Sequence, residues 1–162
     1  MLCERNILID VKGRVMKFQR EKAQDVFKEM IPLLEKHWEE IAHYKDIPLD
    51  PDFNIYFNME DLDMLRVFTA RDDENTLIGY AVFFIKANAH YRSSLQALQD
   101  VLFIKPDCRG TGLKFIVWCD NQLQKEKIQV VYHHVKQSHN FGPALERIGY
   151  KLVDLIYARR LD

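Results

Sequence analysis

Glycine is scarce in this chain, with six among 162 residues, below the roughly 7% of average usage, so each position that carries one is informative. Cysteine is scarcer. Cys3, Cys108 and Cys119 form an odd set with no CxxC pair, which argues against a disulfide framework or a cysteine-rich zinc site and points to a reducing, cytoplasmic compartment. Long apolar runs are missing as well. The opening MLCERNILIDVK holds one three-residue apolar run between charges, too short for the apolar region of a secretory signal, and nothing approaches the roughly 20 apolar residues of a membrane span. Neither sign of charge dominates: 23 Lys plus Arg face 24 Asp plus Glu, a net charge of −1. Such a balance exerts no general pull on phosphate backbones or anionic lipid, so neither a nucleic acid nor a membrane is expected as a partner.

Apolar material is plentiful: 48% of the residues are hydrophobic and 12% aromatic, enough for one core in a chain of single-domain length. No repeat, low-complexity tract or linker divides it. The turn-rich stretch Asp46 to Phe53, with two prolines and three aspartates, separates elements rather than domains. We expect one domain over residues 16–162, preceded by residues 1–15 as either an initial strand with a turn at Gly13 or a loosely attached extension.

From Glu21 to about Tyr44, Val26, Met30, Leu33, Leu34, Trp38 and Ile41 follow the spacing of an amphipathic helix. Pro32 lies inside that pattern, which predicts a kink or two abutting helices. A second helix is expected from Asp52 to about Asp61. The period then changes: LRVFTA (65–70) and LIGYAVFFIK (77–86) read as strands joined by a polar turn, and QALQDVLFI (96–104) as a third. A helical run from Leu113 to about Lys125, a strand at IQVVYHHV (128–135), a short helix near Pro143 to Ile148 and final strand material in YKLVDLIYARRL complete the order. The fold class expected is α/β, a mixed and mostly antiparallel sheet with one parallel βαβ unit.

Most of the chemistry concentrates in Ile104-Lys-Pro-Asp-Cys-Arg109-Gly110-Thr111-Gly112. A strand that ends in a glycine-containing turn and opens into a helix aims unpaired backbone N–H groups and the positive end of the helix dipole at one point, and Arg109 adds a charged fork for phosphate. A Walker A loop fails here, lacking its first Gly, its Gly-Lys step and its magnesium hydroxyl. A dinucleotide turn fails because Phe115 stands where its third Gly belongs.

The stretch Arg109-Gly-Thr-Gly-Leu-Lys114 resembles the pyrophosphate loop of the GNAT N-acetyltransferase superfamily (Arg or Gln, two residues, Gly, one residue, Gly or Ala) in five positions, with Lys114 in place of the last small residue. LERIGYKLV (145–153) is similar to that family's Tyr-Glu-Lys-Leu-Gly-Phe ending. The resemblance runs from about Phe18 to Leu161 and implies helices on both faces of the sheet, a splayed central parallel strand pair and a closing hairpin. It implies acetyl-CoA as cosubstrate and transfer of the acetyl group to a primary amine of a small molecule or protein by direct attack on the thioester. No metal is expected, because His134 and His139 have no Cys or Glu partner at zinc-site spacing. The backbone of Leu102, Phe103 and Ile104 would hold pantetheine. Arg109, Gly110, Thr111, Gly112, Leu113 and Lys114 would hold pyrophosphate, and Asn140 would bond pantetheine. Similar proteins often dimerise, so a homodimer accords with the resemblance.

The reaction needs a base to take the amine proton and donors for the oxyanion. Asp100, among Ala97, Leu98, Val101 and Leu102, is either a strand-end carboxylate bonded to its neighbours or that base. His133 and His134 point to opposite faces, and His134 is the second candidate. The family's acid, a tyrosine, is replaced by Leu145; Tyr132, Tyr91 or water could serve instead. Trp38, His43, Tyr44, His90 and Tyr91 could line the acceptor side. The alternative is a catalytically silent acyl-CoA-binding or partner-binding module in which Leu145 records the lost acid.

Overall fold

The computed structural model describes residues 7–10 and 12–162, so Cys3 and part of the expected N-terminal extension lie outside the described residues. Strand β1 (Ile7–Ile9) pairs antiparallel with β2 (Val15–Glu21). Asp10 shapes the turn between them, accepting the N–H groups of Lys12 and Arg14 at 2.8 and 2.9 Å and Arg14 Nε at 2.7 Å. Arg14 then reaches Asp107, tying this hairpin to the segment after β5.

Helix α1 (Ala23–Ile41) buries Ala23, Val26, Met30, Leu33 and His37. That stripe advances at helical period, and it ends on a histidine rather than on Trp38. Pro32 does not divide the element into two helices. It sits on the exposed side, where water can meet the carbonyl left without its N–H partner. The first turn is capped from a distance: both carboxylate oxygens of Glu60, in α2 (Phe53–Asp61), accept from Ala23 N at 2.8 and 3.0 Å.

Strands β3 (Leu65–Asp72), β4 (Leu77–Ala87) and β5 (Leu95–Ile104) continue the sheet, followed by a tight 3-10 turn over Pro106–Thr111, α3 (Gly112–Lys125) and β6 (Val130–Tyr132). A second tight turn (Gln137–His139) and α4 (Gly142–Arg147) come last. The six strands lie in chain order, and all pairs are antiparallel except β5 with β6. One apolar cluster joins the sheet to α3 through Phe18, Phe68, Phe83, Phe115 and Leu123. The other joins the opposite face to α1 and α2 through Val26, Leu33, Leu65, Tyr80 and Phe103. Helices therefore cover both faces of a mixed sheet, as expected.

Two further expectations are corrected. The strand read over residues 128–135 pairs only over Val130–Tyr132, because Ile128 N and Gln129 N bond instead to the carbonyls of Leu123 and Leu95. The segment after α4 forms no strand and no closing hairpin: residues 151–162 are all exposed and outside the ladder.

A buried ion cluster holds α1 against the sheet. Arg71, 4% exposed, gives Nε and Nη2 to Glu21 and reaches both carboxylate oxygens of Glu29 on α1. Burial pushes Glu21 up, but hydrogen bonds from Arg71, Thr69 and Gln19 outweigh it, and the net shift is downward. Arg71 hydrogen bonds likewise hold Glu29 below the usual carboxylate range.

β4 and β5 approach closely at Gly79, opposite Ile104. A Cβ there would lie 2.8 Å from both the Phe103 carbonyl oxygen and Ile104 Cγ1, and the backbone oxygen has little freedom to retreat. Gly79→Ala should lower thermal stability by about 1–3 kcal/mol, measured by thermal or urea unfolding. An unchanged unfolding midpoint would contradict the close-packed β4–β5 contact.

Candidate functional site

The site is organised by β5. Its parallel pairing with β6 covers Gln96↔Val130, Ala97↔Val131 and Leu98↔Tyr132 and then stops, although β5 runs on to Ile104. Along residues 99–104 one edge is bonded to β4, and among the described residues no strand lies on the other. Where the backbones part, side chains take over: His133 Nδ1 meets Gln99 Oε1 at 2.8 Å. The amide oxygen can only accept, so the ring proton sits on Nδ1 in this arrangement. The other ring nitrogen, Nε2, is buried without a partner, and the ring lies edge-on to those of Phe83, Phe141 and Tyr150.

A β-bulge sits at the same point. Val82 pairs with Val101 and Phe83 with Gln99, leaving Asp100 without an opposite residue. A bulge re-aims one side chain: Gln99 bonds to His133, while Asp100 turns to the helix α2 side and accepts from Tyr56 Oη at 2.7 Å. Burial, then the nearby Asp100 charge, pushes the Tyr56 hydroxyl up, so it keeps its proton and acts as a fixed donor to this carboxylate. Tyr56 stacks on Phe84. Asp100 remains exposed at the mouth.

Of the other expected reacting groups, Tyr132 ends β6 opposite Leu98. Residue alternation therefore puts it on the Asp100 side of the sheet, away from Ala97 and Val131 in the α3 cluster. His134 is exposed. Among the described residues no hydrogen bond joins Asp100, Tyr132 and His134, so the structure brings two of the three to one face without linking them. Leu145 is buried on α4.

Beyond Ile104 the chain enters the glycine turn. Lys105 N bonds to the Ile78 carbonyl, Thr111 Oγ1 to the Cys108 carbonyl and Gly112 N to the Arg109 carbonyl. The loop is thus wound as a tight helical turn running straight into α3. Arg109 and Gly110 are exposed on it. Lys114 points elsewhere, lining a groove with Ile7, Leu8, Phe18, Val117, Trp118 and Asn121. Asn140 accepts from Gly142 N at 2.8 Å and so secures the start of α4.

Three functional neighbours, Glu40, His37 and Tyr56, were not singled out by the sequence. Glu40, on α1, accepts from Arg109 Nη2 at 2.5 Å and has His139 Nε2 at 3.9 Å. It stands one turn beyond His37, whose extension of the buried stripe was the available signal. Arg109, His139 and Lys136 all act electrostatically on His37, so side chains of the glycine turn and of the segment after β6 meet near this end of α1. Tyr56 is the third neighbour; nothing in its spacing marks it as the partner of Asp100. His37 itself packs between Tyr80, 3.3 Å from its Nδ1, and Phe103.

Among the described residues no group of three or more His, Cys, Asp or Glu side chains could hold a metal ion, and no helix is long and apolar enough to cross a membrane.

No protein-family model matches the chain, and no curated protein matches it. Solved structures do. Glucosamine-6-phosphate N-acetyltransferase from Arabidopsis thaliana aligns with a TM-score of 0.68 at 12% identity, covering 91% of this chain and 99% of that one. Ribosomal-protein-alanine N-acetyltransferase from Brucella melitensis biovar Abortus 2308 aligns at 0.67 and 17% identity over 91% and 99%. A predicted acetyltransferase from Clostridium acetobutylicum, solved with acetyl-CoA, aligns at 0.65 and 13% identity over 90% and 96%. The chain has the fold of the GNAT acetyltransferases.

Two buried histidines give the pH dependence a definite sign. Burial lowers His37 from its ordinary 6.5 to about 4, against an opposing pull from Glu40, and burial with the neighbouring His134 lowers His133 to about 4. The unfolded chain then binds more protons than the folded one between those values, so stability is full above about pH 6.5 and falls as pH drops toward 4. The melting temperature should decrease between pH 7 and pH 5, and His37→Gln should flatten that slope. A melting temperature constant over this interval would contradict the buried, neutral state of both rings.

Proposed function

We propose that the protein is an N-acetyltransferase that moves the acetyl group of acetyl-CoA to a primary amine. The observation that carries the reading is the continuity of an open β5 edge (residues 99–104) with a glycine turn, an exposed Arg109 and the start of α3. An extended thiol arm such as pantetheine can bond along that edge like a partial strand, through the backbone of Leu102, Phe103 and Ile104. Its diphosphate would then meet Arg109 and the turn Gly110–Leu113. Glu40 now sits where such a diphosphate oxygen would sit with respect to Arg109, and His139 Nε2 lies beside it. The donor set fits an anion, and the ion pair to Glu40 must open to admit one. The acetyltransferase neighbours support the reading at the level of fold.

Asp100 is the base in this account. An amine that arrives protonated must lose a proton before its lone pair can attack the thioester carbonyl, and the carboxylate, oriented by Tyr56, accepts it. The departing thiol has an ordinary pKa near 8.5, so its thiolate leaves without strong acid assistance, and Tyr132, His134 or water suffices to reprotonate it. Leu145, buried and without a hydroxyl, favours a second reading: a module that binds acyl-CoA without turning it over.

Acetyl-CoA should raise the melting temperature through binding to the folded state. Arg109→Ala should remove most of that shift, and Glu40→Gln, which frees Arg109, should enlarge it. No shift at millimolar acetyl-CoA would overturn the assignment. In a thiol-release assay over a panel of amines, Asp100→Asn should slow turnover by roughly 100-fold or more with the acetyl-CoA shift retained. If acetyl-CoA binds and no amine, peptide or protein is acetylated, the silent module is the correct reading.

A further inference from the structure

The alternation of β5 changes phase at its bulge. Before the bulge, Ala97 and Gln99 lie opposite Ile85 and Phe83, on the α3 face of the sheet where Ala97, Phe83 and Ile85 share one apolar cluster. After it, Leu102 and Ile104 take that face, while Val101 and Phe103 pack on the α1 and α2 side. Odd positions therefore face α3 up to residue 99, and even positions do so from residue 102. One residue has to be left over where the phase changes, and it is Asp100.

A second arrangement would satisfy the same ladder. With Gln99 as the extra residue, Asp100 would stand opposite Phe83 and join the even positions on the α3 face, its carboxylate turned away from Tyr56. The flanking pairs, Val82 with Val101 and Phe84 with Leu98, are the same in both arrangements. The choice between them rests on the side chains at 99 and 100, and both are polar. On a buried face an amide or a carboxylate is costly without a partner.

Gln99 has that partner. It is 6% exposed, and its Oε1 meets His133 Nδ1 at 2.8 Å. His133 is the first residue after β6, and Leu98 with Tyr132 is the last backbone pair of the parallel ladder, so residues 99 and 133 are the next neighbours on one face. The imidazole is itself hemmed in by the rings of Phe83, Phe141 and Tyr150, and Tyr150 Oη is held by Asp120 on α3 at 2.7 Å. A fixed donor thus waits for residue 99 at the point where the bulge could settle in two ways.

We infer that His133 is a positioning residue: by giving buried Gln99 its hydrogen-bond partner, it keeps the bulge at residue 100 and so keeps Asp100 on the Tyr56 side. Its effect on turnover rests on the acetyl-transfer reading with Asp100 as the base. Its effect on the bulge does not.

Bulge and turnover are measured separately. In solution NMR, cross-strand contacts of Phe83 report whether residue 99 or residue 100 lies opposite it. In His133→Phe these contacts should pass from residue 99 to residue 100. With a panel amine, kcat should fall by roughly 10-fold to 100-fold, and KM for acetyl-CoA should change by less than about twofold. His133→Asn, whose amide nitrogen is a δ atom like Nδ1, should restore the bulge and most of the rate. So should His133→Phe combined with Gln99→Leu, since replacing both partners by apolar groups removes the need for the bond. An imidazole that itself reacted would not be rescued by that apolar pair, and a histidine that only stabilised the fold would leave the bulge in place. If His133→Phe does not fold, the apolar pair and His133→Asn decide by the same two readings. Phe83 still opposite residue 99 in folded His133→Phe, or a displaced bulge or low rate in the apolar pair, would overturn the inference. A displaced bulge with unchanged turnover would support it and overturn Asp100 as the base. Absence of turnover in the unmutated protein would overturn the acetyl-transfer reading, and the NMR contacts would still decide the role of His133.

Discussion

β5 belongs to two ladders of unequal length, and the rest of the site depends on that inequality. Its antiparallel partner β4 follows it to Ile104, while its parallel partner β6 leaves after Leu98. A backbone edge left open in a protein interior needs a partner, and here the edge leads directly to a glycine turn and a helix start. The bulge at Asp100 falls where the ladders separate, so the same irregularity that ends pairing also turns a carboxylate toward the α2 side. Tyr56 fixes that carboxylate from α2, and the Arg71 cluster fixes α1 beside it. The helices are thus held in place by polar contacts as well as by the apolar cluster beneath them.

The charge arrangement at the far end of this edge has the same logic. Arg109 is held by Glu40 while no anion is present, with the Lys136 and His139 segment beside them. Under the proposed function an incoming diphosphate would compete with a carboxylate that is only partly exposed, so the strength of that internal pair would set part of the affinity. His37, one turn earlier on α1, is kept neutral by burial and lends no charge to the contest.

Much of this layout was legible in the sequence. Period changes located α1, β3, β4, β5 and α3 to within a few residues, since amphipathic and alternating patterns follow directly from which face is buried. The glycine turn with Arg109 was readable because helix starts and phosphate forks have few chemical solutions. Pro32 misled because a proline's cost depends on whether water can satisfy the freed carbonyl, which is a matter of which side of the helix it occupies. The 151–162 segment misled because strand propensity says nothing about whether a partner strand exists. Glu40 and Tyr56 were invisible for a related reason: each acts through a residue more than 40 positions away, and no local pattern encodes such a contact.

The account's central claim is that the open edge of β5 and the turn after it receive acetyl-CoA. Amide hydrogen exchange with and without acetyl-CoA tests this at residue level. New protection should be concentrated in residues 99–104 and 109–113, the exposed edge and the turn, with smaller changes near Lys136 and His139. Protection confined to other regions, or none in 99–113 when binding is saturated, would contradict it.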